Sequence, residues 1–222
     1  MPRLRRPWLT LAPLLLAASL TGAPPPAGAA PPAGVPPAAS ALVNEGFVLI
    51  GEYPGVKVYR RDKRPGIELA AEGNFAAAPE RVRRVLLDYP RHQKWQKHLK
   101  ENRILAREDA FLDVYQRLDL PVLDDRDFTL HVTWGSEGDV LWMRFAAANE
   151  RGPAPIKGVV RVTDHEGSWR LEPTDGSRGT HAVYRFWLDL AGSFPAWMGK
   201  GQATSDLREM FGNVAKQLPS YR

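Results

Sequence analysis

The most regular pattern in the chain is the alternation of apolar and polar positions along residues 126–134. Side chains of a β-strand point alternately to its two faces, so this run predicts a strand with one apolar and one polar face. We expect the odd-numbered positions, from Asp127 to Thr133, to face water. One arginine stands among the apolar positions, and a buried arginine is costly unless it is paired. The apolar face would consist of Arg126, Phe128, Leu130, Val132 and Trp134.

Shorter runs of β-type sequence fill most of the chain between residues 56 and 190. They are separated by clusters of turn-forming residues, such as residues 135–139 and 174–179. Because short turns join antiparallel neighbours, the runs predict an antiparallel sheet. The further candidate strands are 56–61, 67–75, 101–108, 111–119, 139–148, 157–164, 167–173 and 180–190.

Three segments of the chain predict helices. Residues 39–50 predict a short helix, and Pro79 stands where the first turn of a second helix tolerates it. A long helix is predicted to start within residues 191–198 and to run to about residue 218. Early helices, a run of strands and a closing helix predict an α+β fold, in which a curved antiparallel sheet wraps around the long C-terminal helix.

Two short motifs resemble those of a known family. The pattern Pro-x-x-x-x-Arg-Asp-Phe, residues 121–128, enters a strand as it does in START domains, the lipid-transfer domains related to the steroidogenic acute regulatory protein. The pattern Gly-x-x-Pro-x-Trp-Met, residues 192–198, is similar to the start of the last helix in bacterial START-like proteins. The resemblance covers roughly residues 45–220. It implies the helix-grip fold, with an internal apolar cavity between the sheet and the C-terminal helix.

The first 29 residues have the pattern of a cleavable signal peptide. Three arginines precede an apolar stretch at residues 8–20 that is too short to span a bilayer, and Ala-Gly-Ala at residues 27–29 fits a cleavage site. Residues 30–40, rich in Pro and Ala, predict a disordered spacer, and residues 41–222 the START-like domain. These features predict a periplasmic or secreted protein of the exported bacterial branch of the family.

Composition and charge narrow the classes of function. The chain has no cysteine, which excludes disulfides, thiolate metal sites and a cysteine nucleophile. Its net charge of +5 falls to +2 without the predicted signal peptide, which holds three of the 30 basic residues and none of the 25 acidic ones. A nucleic-acid binder normally carries a basic stripe, so we expect no nucleic-acid partner. The locally basic segment 81–100 is either a solvated helix face or a surface with weak attraction for anionic lipid head groups.

Alternation along the strands also proposes which side chains face the interior. They either fill a core or line a cavity, and an apolar cavity favours an alkyl or sterol ligand because each buried methylene contributes about 0.8 kcal/mol. Arg126 either meets Asp113 or Asp119, or pins the turn at residues 124–125 by hydrogen bonds. The predicted ligand-binding residues are Arg126, Phe128, Leu130, Trp134, Met143, Phe145, Tyr184, Phe186, Phe194, Trp197, Met198, Met210 and Phe211.

Sequence signals for catalysis are weak. The five histidines are scattered, and we expect His165 to lie in a turn. The chain has no His-x-x-x-His or Glu-x-x-His spacing of the kind that binds metals, and no Gly-x-Ser-x-Gly elbow. We therefore predict no catalytic residue, no metal and no cofactor.

The favoured hypothesis is an exported, non-enzymatic lipid-binding or lipid-transfer protein. It would hold one hydrophobic molecule, such as a sterol, phospholipid or fatty acid, under the C-terminal helix, act as a monomer and make transient contact with a membrane. Two alternatives stay open. One is a cyclase- or aromatase-like enzyme on the same fold, which would need an acid or base in the cavity, such as Tyr184 or Arg126 paired with Asp113. The other is a groove that binds a peptide or a partner protein.

Overall fold

The computed structural model describes residues 34–63, 65–120, 123–190 and 201–221, with the side chains of residues 201–203 excepted. The predicted signal peptide and the predicted site residues Phe194, Trp197 and Met198 lie outside the described residues. Within those ranges no helix is long and apolar enough to cross a membrane. The helices and strands are α1 (Ala39–Asn44), β1 (Val48–Tyr53), β2 (Val56–Arg60), β3 (Ile67–Phe75), α2 (Pro79–Leu87), α3 (Tyr89–His92), β4 (Leu99–Arg107), β5 (Phe111–Leu118), β6 (Arg126–Glu137), β7 (Val140–Ala147), β8 (Val160–Arg161), β9 (Asp164–Thr174), β10 (Gly179–Asp189) and α4 (Gly201–Gln217), with 3-10 turns at Asn149–Arg151 and Leu218–Ser220.

The ten strands form one open sheet. Nine of them follow in the order β1-β2-β3-β10-β9-β7-β6-β5-β4, and every neighbouring pair in this order is antiparallel. The predicted α+β helix-grip fold is confirmed, because the sheet is curved and carries a C-terminal helix. The candidate strands at 67–75 and 111–119 agree with β3 and β5 to within one residue.

Helices α2 and α4 cover the inner face of the sheet and close the main core. α2 begins with Pro79 in its first turn, and its buried residues follow at the predicted helical spacing. α4 contributes Leu207, Phe211 and Val214, whose spacing of four and three residues places them on one side of the helix. These helices therefore pack against the strands through one apolar stripe each.

The first half of β6 is buried on both faces, so the predicted wet face is wrong there. Asp127 and Thr129 are fully buried, because the segment 149–163 crosses over them. β7 pairs with β6 only from Leu130 onward. Before that point β8 is the neighbour instead, and it pairs in parallel with Arg126 and Asp127. A segment distant in sequence thus covers positions that alternation alone assigned to water.

Two further predicted elements differ from the structure. The helix predicted at 39–50 ends at Asn44, because Gly46 takes a φ of +90° that turns the chain, and residues 48–53 form the edge strand β1 instead. The strand predicted at 157–164 is reduced to Val160–Arg161. β9 begins at Asp164, which places His165 in a strand rather than in a turn.

The N-terminal segment packs on the outer face of the sheet. Leu42 of α1 and Phe47 are buried in a small second core on that face. Part of the predicted spacer also contacts the domain, since Arg144 Nε donates to the carbonyl of Gly34 at 2.9 Å and Arg170 Nη1 donates to that of Pro36 at 3.0 Å. α1 therefore covers part of the outer face of the sheet, and the inner face is left as the place for a ligand-binding site.

Candidate ligand-binding pocket

A pocket of about 360 Å³ lies between the inner face of the sheet and the helices α2, α3 and α4. Its wall combines residues of seven strands with residues of the three helices and of the 93–98 segment that joins α3 to β4. Most of the side chains in the wall are aliphatic or aromatic. The volume falls at the lower end of the range of roughly 300–1,000 Å³ that is usual for small-molecule sites.

A series of aromatic rings forms one side of the pocket. Tyr184 stacks on Trp169 with ring centroids 4.5 Å apart and on Phe186 at 5.5 Å, with an angle of 29° between the planes in both pairs. Trp169 also contacts Phe211 at 5.4 Å, which continues the series into the core. The order follows from register, because Tyr184 lies directly opposite Trp169 in the β9–β10 ladder. The rings present a flat apolar surface to any molecule in the pocket.

The end of the pocket near α3 carries neutral polar groups. Burial lowers the pKa of His92 to about 4, so this histidine is uncharged at neutral pH, and its Nε2 lies 3.2 Å from the carbonyl oxygen of Val85. Gln116 Nε2 donates to Asn102 Oδ1 at 3.1 Å, and Asn102 donates in turn to the carbonyl of Tyr89. Burial also raises the pKa of Tyr89 above its usual range. This end of the pocket is polar but has no fixed charge.

His165 lines the pocket where β9 begins and β10 ends. Its ring meets Phe128 edge-on at 4.8 Å and Phe145 at 5.2 Å. Burial lowers the pKa of His165 to about 3, so its imidazole is also neutral near pH 7. The Nδ1 atom is enclosed and has no hydrogen-bond partner within the part of the chain that the structure describes. His165 is half-buried, and it lines the pocket.

Charged side chains are found where α4 meets the 93–98 segment. Lys97 Nζ and Glu209 Oε2 are 2.6 Å apart, and both residues line the pocket. Nearby, Asn213 Nδ2 donates to the carbonyl of Trp95 at 2.9 Å. Two contacts therefore connect α4 to the 93–98 segment across one side of the pocket. The Lys97–Glu209 pair is exposed and contributes little to stability, whereas the Asn213 bond is partly buried.

Seven of the ten described residues that the sequence proposed lie in the pocket wall, and their role in binding stays a prediction. The structure brings them together from three strands, β6, β7 and β10, and from α4, although they are far apart in sequence. They are Phe128, Leu130, Met143, Phe145, Tyr184, Phe186 and Met210.

Arg126, Trp134 and Phe211 lie outside the pocket wall, contrary to the sequence-based proposal. Arg126 is buried and donates to the carbonyl of Asp124, so it holds the turn before β6. Asp113, considered as its partner, lies 2.7 Å from His131 and 3.3 Å from Arg151. Trp134 packs on the main core from farther along β6, and Phe211 stacks on Phe75 at 5.4 Å and fills the core.

Sequence reasoning missed the contribution of residues 89–99 and of His165. Tyr89, His92, Trp95 and Leu99 line the pocket. The sequence assigned Tyr89 only to the apolar face of the second helix, and the residues after it lie in a segment that is basic and has no strand or helix period. The aromatic residues Tyr89 and Trp95 within this basic segment were the local feature that could have indicated a contribution to the pocket. His165 was assigned to a turn because Asp164 and Gly167 flank it, and nothing local distinguishes it from a surface histidine.

No metal-binding cluster accompanies the pocket in the described ranges. No three His, Cys, Asp or Glu side chains are grouped there so that they could hold a metal ion. The buried titratable groups of the wall are neutral near pH 7, namely Tyr89, His92, His165 and Tyr184. The wall can therefore stack on a flat molecule and form single hydrogen bonds.

No protein-family model matches the chain. An uncharacterized protein of Pseudomonas aeruginosa is 28% identical over 164 residues, which cover 72% of this chain and 80% of that protein. The crystal structure of a STAR-related lipid transfer protein fragment from Xanthomonas axonopodis superposes with a TM-score of 0.71 at 25% identity, covering 78% of this chain and 99% of the fragment. Human StAR-related lipid transfer protein 5 superposes with a TM-score of 0.69 at 19% identity, over 82% of this chain and 94% of the human chain. The chain therefore has the START-domain fold, and the resemblance that its two motifs indicated is confirmed.

Proposed function

We propose that this protein binds one hydrophobic molecule in the pocket between the sheet and α4 and carries it through water, without changing it chemically. The observation that supports this most directly is the composition of the wall, which is aliphatic and aromatic over most of its surface. Burial of such a ligand is favourable, at about 0.8 kcal/mol for each methylene. The similarity to the STAR-related lipid transfer protein of Xanthomonas axonopodis supports the same proposal.

The pocket volume favours a single-chain or compact ligand. A water molecule occupies about 30 Å³ in the liquid, and a methylene group is of similar size, so a pocket of 360 Å³ holds roughly a dozen such groups. A lipid with two long chains would need a larger space. Medium-length acyl or alkyl chains and small ring systems fit the volume as it stands.

The titratable side chains in and near the pocket argue against an enzyme of the cyclase or aromatase kind. A general base works best when its pKa lies near the working pH, and burial holds the pKa of His92 near 4 and that of His165 near 3. The Arg126–Asp113 pair considered for such an enzyme is not formed, since Asp113 contacts His131 and Arg151 instead. Binding without chemistry is the function that these side chains support best.

The export of the protein is part of the proposal and rests on the sequence. An apolar stretch behind three arginines, followed by Ala-Gly-Ala, fits secretion and cleavage after residue 29. A carrier in the cell envelope would cross an aqueous space between two membranes, and a water-excluding pocket suits that task.

The test is native mass spectrometry of the processed protein purified from its own cell envelope, followed by organic extraction and identification of what is released. We expect a one-to-one hydrophobic adduct, and an N-terminal residue close to position 30. An empty protein that also fails to take up N-phenyl-1-naphthylamine, a neutral fluorescent probe for apolar sites, would contradict the proposal. A stable protein complex without extractable lipid would favour the peptide-groove alternative.

A further inference from the structure

We propose that His165 is a specificity-determining residue, which donates a hydrogen bond to the hydroxyl or carbonyl oxygen of a neutral lipid held in the pocket. This inference rests on the proposed function and deepens it, because it names the class of ligand. The preferred ligand would be a single-chain or compact lipid that carries an uncharged oxygen. Hydrocarbons of the same length, and lipids with their charge at this end of the pocket, would bind less tightly.

The position of the ring supports this role. Phe128 and Phe145 hold the imidazole from two directions, at interplanar angles of 89° and 76°, so the ring has little freedom to turn. Both phenylalanines also line the pocket. A polar ring fixed between apolar rings at a pocket wall is costly unless a partner satisfies it, because buried polar groups are nearly always hydrogen-bonded.

The environment of Nδ1 determines which nitrogen donates. This atom is enclosed and has no hydrogen-bond partner among the described side chains and backbone groups. A neutral imidazole carries one N–H, and orphaned buried N–H groups are rarer in proteins than orphaned acceptors. The proton therefore belongs on Nε2, on the opposite edge of the ring. A ligand oxygen beside Nε2 would accept it.

The absence of charge at this end selects the class of ligand. Burial keeps His165 uncharged near pH 7, so it supplies a hydrogen bond but no charge to offset a carboxylate or phosphate. The charged residues of the wall, Lys97, Asp206 and Glu209, belong instead to α4 and the 93–98 segment. A charged head group would be accommodated near those residues, and a neutral oxygen near His165.

The experiment compares two twelve-carbon ligands on the full processed protein. Dodecan-1-ol and 1-chlorododecane, both delivered from cyclodextrin, compete with N-phenyl-1-naphthylamine, and the ratio of their inhibition constants is measured. We expect the ratio for the wild-type protein to favour the alcohol about tenfold more than the ratio for His165→Phe does, the effect of one hydrogen bond. His165→Phe keeps an aromatic ring between Phe128 and Phe145 but removes the donor, so the hydroxyl is buried without a partner. His165→Gln restores an N–H donor and should recover part of the preference.

Met143→Leu is the matched control, because it changes an aliphatic part of the same wall. It should weaken both ligands by a similar factor and leave their ratio unchanged. An unchanged ratio in His165→Phe, with binding retained, would overturn this inference and leave the proposed function intact. If the folded wild-type protein binds neither the probe nor either ligand, the proposed function fails, and this inference fails with it.

Discussion

Asp127 and Arg161 form a two-point ion pair beneath the segment that crosses β6. Arg161 Nε donates to Oδ1 at 2.7 Å and Nη2 donates to Oδ2 at 3.0 Å, while the hydroxyl of Tyr115 donates to Oδ2 at 3.0 Å. The Asp127 residue is fully buried. The pair attaches residues 149–163 to the start of β6 and thereby supports the strand that bears Phe128 and Leu130.

Asp127→Ala should destabilise the protein strongly, because it leaves the largely buried guanidinium of Arg161 without its carboxylate partner. Breaking one side of a buried pair costs about 3–5 kcal/mol, which for a domain of this size lowers the melting temperature by roughly 6–20 °C. Thermal denaturation followed by circular dichroism measures the shift. Asp62→Ala, which removes the exposed partner of Arg60, is the control and should change the free energy of unfolding by less than about 0.5 kcal/mol. Equal effects of the two substitutions would contradict this account.

Stability should fall as the pH is lowered from about 6.5 toward 4, because two buried histidines resist protonation. In the unfolded chain a histidine binds a proton below about pH 6.5, whereas in the folded protein His92 does so only near 4 and His165 near 3. The unfolded state thus takes up more protons across this window, at a cost of up to about 1.4 kcal/mol per pH unit for each histidine.

Urea denaturation at a series of pH values measures this slope. His165→Phe should reduce it by about the contribution of one group, since His92 remains. A slope between pH 6.5 and 4 that is the same in the variant and the wild type would show that His165 does not resist protonation in the folded protein.

A bulky side chain at Leu118 should block the pocket without unfolding the protein. Leu118 is half-buried at the end of β5 and lines the pocket, so an indole at this position can extend into the empty space. We expect Leu118→Trp to weaken the binding of N-phenyl-1-naphthylamine at least tenfold, while the melting temperature changes by only a few degrees. Leu49→Trp makes the same change on the edge strand β1, where the side chain is 45% exposed, and should leave binding unaltered. Unchanged binding in Leu118→Trp would show that the probe occupies another site.

Gly167→Ala should be destabilising although the added group is a single methyl. A Cβ at this position would overlap the ring of Phe145 and the carbonyl oxygen of Arg185, and the carbonyl cannot move without disturbing the β9–β10 ladder. Overpacking of this kind costs about 1–3 kcal/mol. Gly212→Ala in α4 is the matched control, since open space surrounds it, and it should stabilise the helix by about 0.5–1 kcal/mol. Chemical denaturation of both variants measures the change in the free energy of unfolding. It should fall in Gly167→Ala and rise in Gly212→Ala.

The strands and the closing helix were predictable because their signal is local. Alternation with a period of two located β3, β5, β6 and β10 to within a few residues, and the spacing after Pro79 located α2. The same alternation named six of the seven correctly placed residues of the pocket wall, since the inner face of a curved sheet is the face that carries its apolar set; the seventh, Met210, lies on α4. The helix predicted at 39–50 was wrong past Asn44, where one glycine with a positive φ outweighed a weak helical pattern.

By itself the sequence determined most of the strands and helices, and which side of those strands is apolar. These properties follow from side-chain period and turn chemistry within a few neighbouring residues. Only the tertiary structure decided what covers each face: the 149–163 segment buries Asp127 and Thr129, α3 brings His92 to the pocket, and β9 turns His165 inward. Contacts of this kind join residues that are far apart in the chain. Because no local pattern records them, the polar groups of the pocket emerged only when the sheet and its helices were assembled.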